Sequence, residues 1–161
     1  MYIDSSIRIL TDKIGSHLTT LKNTWMLSRI ITLKLNCYTN PLMYKWFGEN
    51  TSTYEEFYTM EAGVLLFQRS LLTTLLMKAW LTCALDKSCI DPPGSKHSPC
   101  CGCHRYDQDA LTVVSSFFYA YPKDLNLKSP AFAFTTPESR FFDIERYKEK
   151  SYFTLKTKKY Y

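Results

Sequence analysis

Five of the six cysteines, Cys83, Cys89, Cys100, Cys101 and Cys103, fall within twenty-one residues, and the stretch among them carries Pro92-Pro93-Gly94 and Ser98-Pro99. Proline fixes φ and removes a backbone donor, so Asp86 to Gly102 reads as a loop. A loop of that length without secondary structure keeps one shape only if it is crosslinked. Zinc is one candidate crosslink, with His97 and His104 lying among the thiols. The usual zinc knuckles are C-x₂₋₄-C pairs, whereas this chain offers C-x₅-C, adjacent cysteines and C-x-C. Disulfides in an oxidising compartment explain the cluster with fewer assumptions, because they tie the loop to the helix before it. Cys100 and Cys101 are poorly placed to pair with each other, and the remaining connectivity is not legible in spacing. Cys37 stands apart, either as a free buried thiol or as the partner of an odd cysteine.

The loop runs into Cys103-His104-Arg105-Tyr106-Asp107-Gln108, followed by Ala110-Leu111-Thr112-Val113-Val114. The second run has helical character and is expected to continue to about Tyr119, stopping before Tyr121-Pro122. Asp107 is the expected N-cap, because its carboxylate can accept from free first-turn N–H groups at the positive end of the helix dipole. The plain reading of the hexapeptide is a cap beside a solvated loop. The chemical reading gives His104, with an ordinary pKa near neutrality, work as a general base, a phosphate contact or a metal ligand. A Cys103–His104 nucleophilic pair is a weak reading, since sequence neighbours seldom point at each other.

Upstream, Ile-rich residues 2–10 alternate like a strand with Asp4 near its C-terminal side, the edge where open α/β sheets gather ligands. Residues 17–23 are helix-compatible, 29–37 alternate like a strand, and Leu42 to Phe47 form a short helix after Asn40-Pro41. Gly63 to Phe67 reads as a buried strand. Ser70 caps a helix from Leu71 to about Leu85, with Leu72, Leu75, Leu76, Ala79 and Trp80 as its core stripe. Trp80 is therefore expected to pack rather than to stack on a sugar. The apolar stretch Ala62 to Leu85 is interrupted by Gln68, Arg69 and Lys78, which excludes a membrane span there.

Charge narrows the partners. The net charge is +5, and residues 146–161 hold Arg146, Lys148, Lys150, Lys156, Lys158 and Lys159 against Glu149 alone, so the body is near neutral. A basic, tyrosine-rich tail of this kind is usually solvated, and without an RNP, helix-turn-helix or zinc-finger pattern no nucleic-acid partner is expected. Only five glycines are present, and neither GxGxxG nor GxxxxGK[ST] occurs, so a Gly-rich phosphate loop is excluded. No signal peptide is visible, and a membrane would be met only through an anchor outside this sequence.

Four pieces follow one another in a telling order: Tyr2-Ile3-Asp4-Ser5-Ser6-Ile7-Arg8, Glu61-Ala62-Gly63, Cys83-Ala84-Leu85 with Cys89, and Cys103 to Gln108. In that order they resemble a family of uncharacterised animal proteins related to nucleotide-diphospho-sugar transferases. The resemblance covers residues 1–122, leaving an aromatic, proline-containing segment at 123–145 and the basic tail at 146–161. It implies an α/β fold, namely the C-terminal part of a GT-A-like domain incomplete at its N-terminus. It also implies transfer of a sugar from a nucleotide-diphosphate donor to a glycan or protein acceptor, in the Golgi or ER lumen for a full-length relative. The first GT-A strands bind the nucleotide, so a chain starting at the Asp-Ser-Ser strand is expected to be inactive. The alternative is a non-catalytic, disulfide-pinned structural or interaction module of the secretory pathway.

On the resemblance, Asp4 stands where such transferases carry an Asp-x-Asp metal site for Mn²⁺ or Mg²⁺, with one carboxylate in place of two. Ser6, Arg8 and Arg105 become phosphate or substrate contacts. Glu61 contacts a sugar hydroxyl, and Gly63 allows close backbone approach. Asp107 and Gln108 resemble the Asp-Gln pair that opens a late helix and faces the reacting sugar, with His104 beside them.

Overall fold

The computed structural model describes residues 2–3, 7–9, 14–96, 103–118 and 142–144. Strands β1 (Tyr2–Ile3) and β2 (Ile7–Ile9) precede helix α1 (Gly15–Thr24) and strand β3 (Met26–Lys34). Then come α2 (Leu35–Tyr38), α3 (Pro41–Trp46), a 3₁₀ turn at Thr51–Tyr54, β4 (Tyr58–Phe67), α4 (Leu71–Leu85), α5 (Lys87–Ile90), α6 (Tyr106–Phe118) and β5 (Phe142–Ile144). The class is mixed α/β, as expected. All described strand pairings are antiparallel: β4 lies between β1 and β3 in one sheet, and β2 pairs with β5 in another. Residues 2–10 are thus two strands with different partners rather than one. The rule that ligands collect at carboxyl ends of strands belongs to parallel sheets and has no purchase here.

Strand β3 starts and ends earlier than the alternation in 29–37 suggests. Trp25, at φ 61, closes α1 in the left-handed region and turns the chain directly into Met26. At the other end the Leu35 N–H donates to the Phe57 carbonyl at 2.8 Å, and the chain coils into α2. Strand β4 begins five residues before Gly63, at Tyr58. Its polar members hid it: Thr59 and Glu61 are buried within it.

The β3–β4 ladder changes register twice, between Leu27 and Arg29 and between Ile30 and Lys34. Shifts of this kind leave ladder carbonyls without a strand N–H. At each one a hydroxyl donates instead, Ser28 Oγ to the Glu61 carbonyl at 2.8 Å and Thr59 Oγ1 to the Leu33 carbonyl at 3.0 Å. Gly63 falls in the first shifted stretch, where a residue without a side chain suits a bulge.

Ser70 caps α4 as expected, in a capping box in which its side chain accepts from Thr73 N while Thr73 Oγ1 accepts from Ser70 N. The buried face of α4 is Thr73, Leu76 and Cys83, with Ala79 and Trp80 packed at its edges. Leu75, expected in the stripe, is largely exposed; the stripe is rotated toward Thr73 and Cys83, whose polar or sulfur character disguised it. Helices α4 and α6 bring Leu76, Leu111 and Val114 onto Met26, Ile30, Met60, Ala62 and Leu65 of the sheet. Within this core the Thr112 hydroxyl accepts from the Met60 N–H at 3.0 Å and donates to the Gln108 carbonyl at 2.8 Å, bonding α6 to β4 directly.

Candidate functional site: the loop-to-helix junction

Disulfide Cys83–Cys89 joins the last turn of α4 to α5, with both residues fully buried beside Met43 and Ala110. Cys37 and Cys103 are also disulfide-bonded, and among the described residues no cysteine is free. Cys37 is therefore not a free thiol. His97, Cys100 and Cys101 lie outside the described residues. No group of three or more potential metal ligands occurs among the described residues.

Two polar side chains, Asp86 and Asn40, set the frame around this crosslink. Asp86 accepts from Ser88 N at 2.8 Å and Ser88 Oγ at 2.6 Å, capping α5, and from Trp46 Nε1 at 2.9 Å. These donors, Ser88 first, hold the Asp86 carboxyl below its ordinary range. Asn40 caps α3 by accepting from Leu42 N, while its amide donates to the Pro93 carbonyl and to Ser95 Oγ. The proline loop is thus fastened to α3 and α5 before it reaches His104.

His104 is 4% exposed and every polar atom of its ring is engaged. Nε2 lies 3.0 Å from the Ile90 carbonyl, Nδ1 lies 3.1 Å from Asp109 Oδ2, and Asn40 N–H points at Nδ1 from 3.3 Å. Its backbone N–H donates to the Lys96 carbonyl at 2.9 Å, and the Tyr106 ring packs edge-on at 5.0 Å. A carbonyl only accepts, so Nε2 carries a proton. One further proton is shared between Nδ1 and Asp109. Burial pushes the Asp109 carboxyl above its ordinary range, against the pull of His104 and the Arg105 N–H. The Asn40 N–H meanwhile sets Nδ1 as an acceptor.

Asp109, not Asp107, performs the capping. Helix α6 begins at Tyr106, whose φ of 45 is left-handed, and Asp109 Oδ2 reaches back to accept from Arg105 N at 2.7 Å. Asp107 sits in the first turn with its side chain exposed, and its carbonyl accepts from Trp80 Nε1 at 2.9 Å. The Asp107 carboxylate still meets the positive end of the helix dipole there.

Next to this junction, Asp109 Oδ1, Thr39 Oγ1 and Tyr44 Oη are buried with no partner at full hydrogen-bond geometry among the described residues, although the Thr39 hydroxyl lies close enough to both others to act on them. Burial, with Asp109 adding to it, raises the Tyr44 phenol well above its ordinary value. The Tyr44 phenol therefore stays protonated at neutral pH.

The sequence-derived candidates separate into three places. His104, Arg105, Asp107 and Gln108 share the junction, but His104 faces inward and Gln108 keeps its Nε2 buried. Glu61 is buried on β4 opposite Arg29, with Gly63 two residues on, both in the sheet rather than at the loop. Arg8 lies on β2, in register with Asp143. Asp4 and Ser6 fall outside the described residues, as do most of 123–145 and the whole of 146–161. Sequence reasoning missed Asp109 and Asn40; the second aspartate of Asp107-Gln108-Asp109 was the available signal for the first.

On the open side, Asp107 borders a groove of about 630 Å³ lined by Phe67, Arg69, Met77, Lys78, Trp80 and Leu81 among others. The groove is mainly apolar, with Arg69, Lys78 and Asp107 as the charged residues of its lining. No family model, no curated protein and no solved structure matches this chain.

Proposed function

We propose that this chain works by binding and not by catalysis, as a disulfide-pinned interaction module. The observation that carries this reading is the burial of His104 and Asp109. The two groups best suited to acid–base chemistry at the junction face each other, a backbone N–H and a carbonyl, and both are buried among the described residues. General acid–base catalysis needs the group within hydrogen-bond reach of the reacting proton. The disulfides support an oxidising compartment, hence the secretory pathway.

A second reading is favoured by one specific observation, the exposed carboxylate of Asp107 beside Trp80, Arg69 and Lys78 on the groove. In it the fold is GT-A-like, Asp107 and Gln108 orient a sugar, Asp4 helps hold Mn²⁺ or Mg²⁺, and the donor is a nucleotide-sugar. The metal would steady the leaving diphosphate. Calorimetry of the chain with UDP- and GDP-sugars in Mn²⁺ separates the two. The binding-module reading expects no saturable heat. Micromolar binding that Asp107→Asn abolishes would replace it with the second.

A further inference from the structure

Of Asn23, Asn36, Asn40, Asn50 and Asn126, Asn50 alone is followed two residues on by serine or threonine, in Asn50-Thr51-Ser52. That spacing, with a middle residue other than proline, is the acceptor pattern for N-linked glycans in secreted proteins. A tripeptide alone carries little weight. Three features of the folded chain add to it.

The first is access. Asn50 and Ser52 are both exposed, on the connection that runs from α3 into the 3₁₀ turn at Thr51–Tyr54. A glycan is bulkier than any side chain, so a linked asparagine has to lie at the surface of the finished fold. The second is the amide itself. Asn50 Oδ1 accepts from the Ser52 N–H at 3.3 Å, while Nδ2 makes no hydrogen bond among the described residues. Asn40, by contrast, spends its amide nitrogen on the Pro93 carbonyl and Ser95 Oγ. Glycosylation replaces one Nδ2 hydrogen and leaves Oδ1 as it was. The cap on the turn that carries Tyr54, stacked on Tyr44 at 4.8 Å, therefore survives the modification. The third is the compartment. The Cys83–Cys89 bridge and the bonded state of Cys37 and Cys103 belong to an oxidising lumen, where N-linked glycans are also attached.

We propose that Asn50 is an N-glycosylation site. The donor is an oligosaccharide carried on a lipid-linked diphosphate. Asn50 Nδ2 forms a bond to C1 of the first sugar as the C1–O bond to the diphosphate breaks. The diphosphate leaves with that electron pair, and one Nδ2 proton passes to a base on the transferring enzyme. Ser52 supplies the hydroxyl that the enzyme reads two residues beyond the acceptor. The inference rests on the secretory compartment of the binding-module reading and adds a modification to that module.

The natural protein, immunoprecipitated from the cells that make it and treated with peptide-N-glycosidase, tests this. The expected result is a discrete fall in apparent mass, with Asn50 converted to aspartate in the peptide mass spectrum, because the hydrolysis releases the glycan together with the amide nitrogen. Two substitutions expressed in the same cells separate the acceptor from the fold. Asn50→Asp keeps a good N-cap and removes the acceptor amide. Thr51→Pro breaks the acceptor pattern at the first position of the turn, where proline is tolerated. The Asn50 backbone, at φ −103 and ψ 141, already lies in the region that proline imposes on its predecessor. Both substitutions are expected to abolish the shift, and Ser52→Thr to keep it. A natural protein whose mass the glycosidase leaves unchanged, or a shift that survives Asn50→Asp, overturns the proposal. Alkylating the same sample without reduction keeps site and compartment apart. Blocked Cys37, Cys83, Cys89 and Cys103 without a glycan end only the glycosylation site, whereas alkylation of all four ends the secretory reading with it.

Discussion

Asp109 Oδ2 stands 3.1 Å from His104 Nδ1, across a turn that brings together residues five apart in sequence, and the same oxygen caps helix α6 through the Arg105 N–H. One carboxyl oxygen therefore fixes the histidine rotamer and the helix start together. This double use of one oxygen has a sharp consequence. Asparagine can fill only one of the two roles, because an Nδ2–H aimed at His104 Nδ1 no longer accepts from the Arg105 N–H, so Asp109→Asn is expected to cost about 1–3 kcal/mol, and Asp109→Ala, which loses both bonds, more than that. Urea unfolding of both variants at neutral pH checks the order, and Asn equal to wild type would mean that one of the two bonds adds no stability.

The same pair predicts a pH dependence. With its folded-state pKa raised above the unfolded value, the Asp109 carboxyl contributes stability that is fully present below the ordinary carboxyl range. That contribution is lost as pH rises through the folded pKa, because the unfolded chain gives up the proton more readily. The stability of the wild type relative to Asp109→Asn is expected to fall from pH 3 upward until the folded carboxyl titrates. A difference that grows with pH instead would mean that Asp109 is ionised in the fold.

For the crosslinks, alkylation without reduction followed by mass spectrometry is expected to find Cys37, Cys83, Cys89 and Cys103 unmodified. Removing the short Cys83–Cys89 bridge by a double alanine substitution is expected to cost about 2 kcal/mol, the chain-entropy value for so small a loop. Modification of all four thiols in the native protein would contradict the pinned junction.

What the sequence made legible was local. Ser70 and the run to Leu85 announce α4 because a cap and an apolar period act within one helix, and Asn40-Pro41 announces α3 for the same reason. Strand β4 was half hidden, since its buried Thr59 and Glu61 have partners on other elements that only folding supplies. The junction shows the same limit. His104 was recognisable as special, but whether it faces a substrate or Asp109 depends on Ile90, Asn40 and Lys96, which lie eight to sixty-four residues away. Placing the cap on Asp107 failed by one half-turn of helix, because Tyr106 enters α6 through a left-handed conformation that nothing in its chemistry signals.

The last prediction concerns Thr112, whose hydroxyl is fully buried and serves two masters, accepting from the Met60 N–H of β4 and donating to the Gln108 carbonyl of its own helix. Thr112→Val keeps the shape and the methyl group but leaves the Met60 N–H without an acceptor in the dry core. An orphaned buried donor costs about 1–3 kcal/mol, more than a hydrogen bond contributes when formed. Thr112→Ser keeps the hydroxyl and loses one methyl, a smaller loss of about 1 kcal/mol. The order expected from denaturant unfolding is therefore wild type, then Ser, then Val, although valine is the more apolar of the two. Valine equal to or above wild type would mean that α6 and β4 are held by packing alone, and that the Met60 N–H finds its acceptor elsewhere.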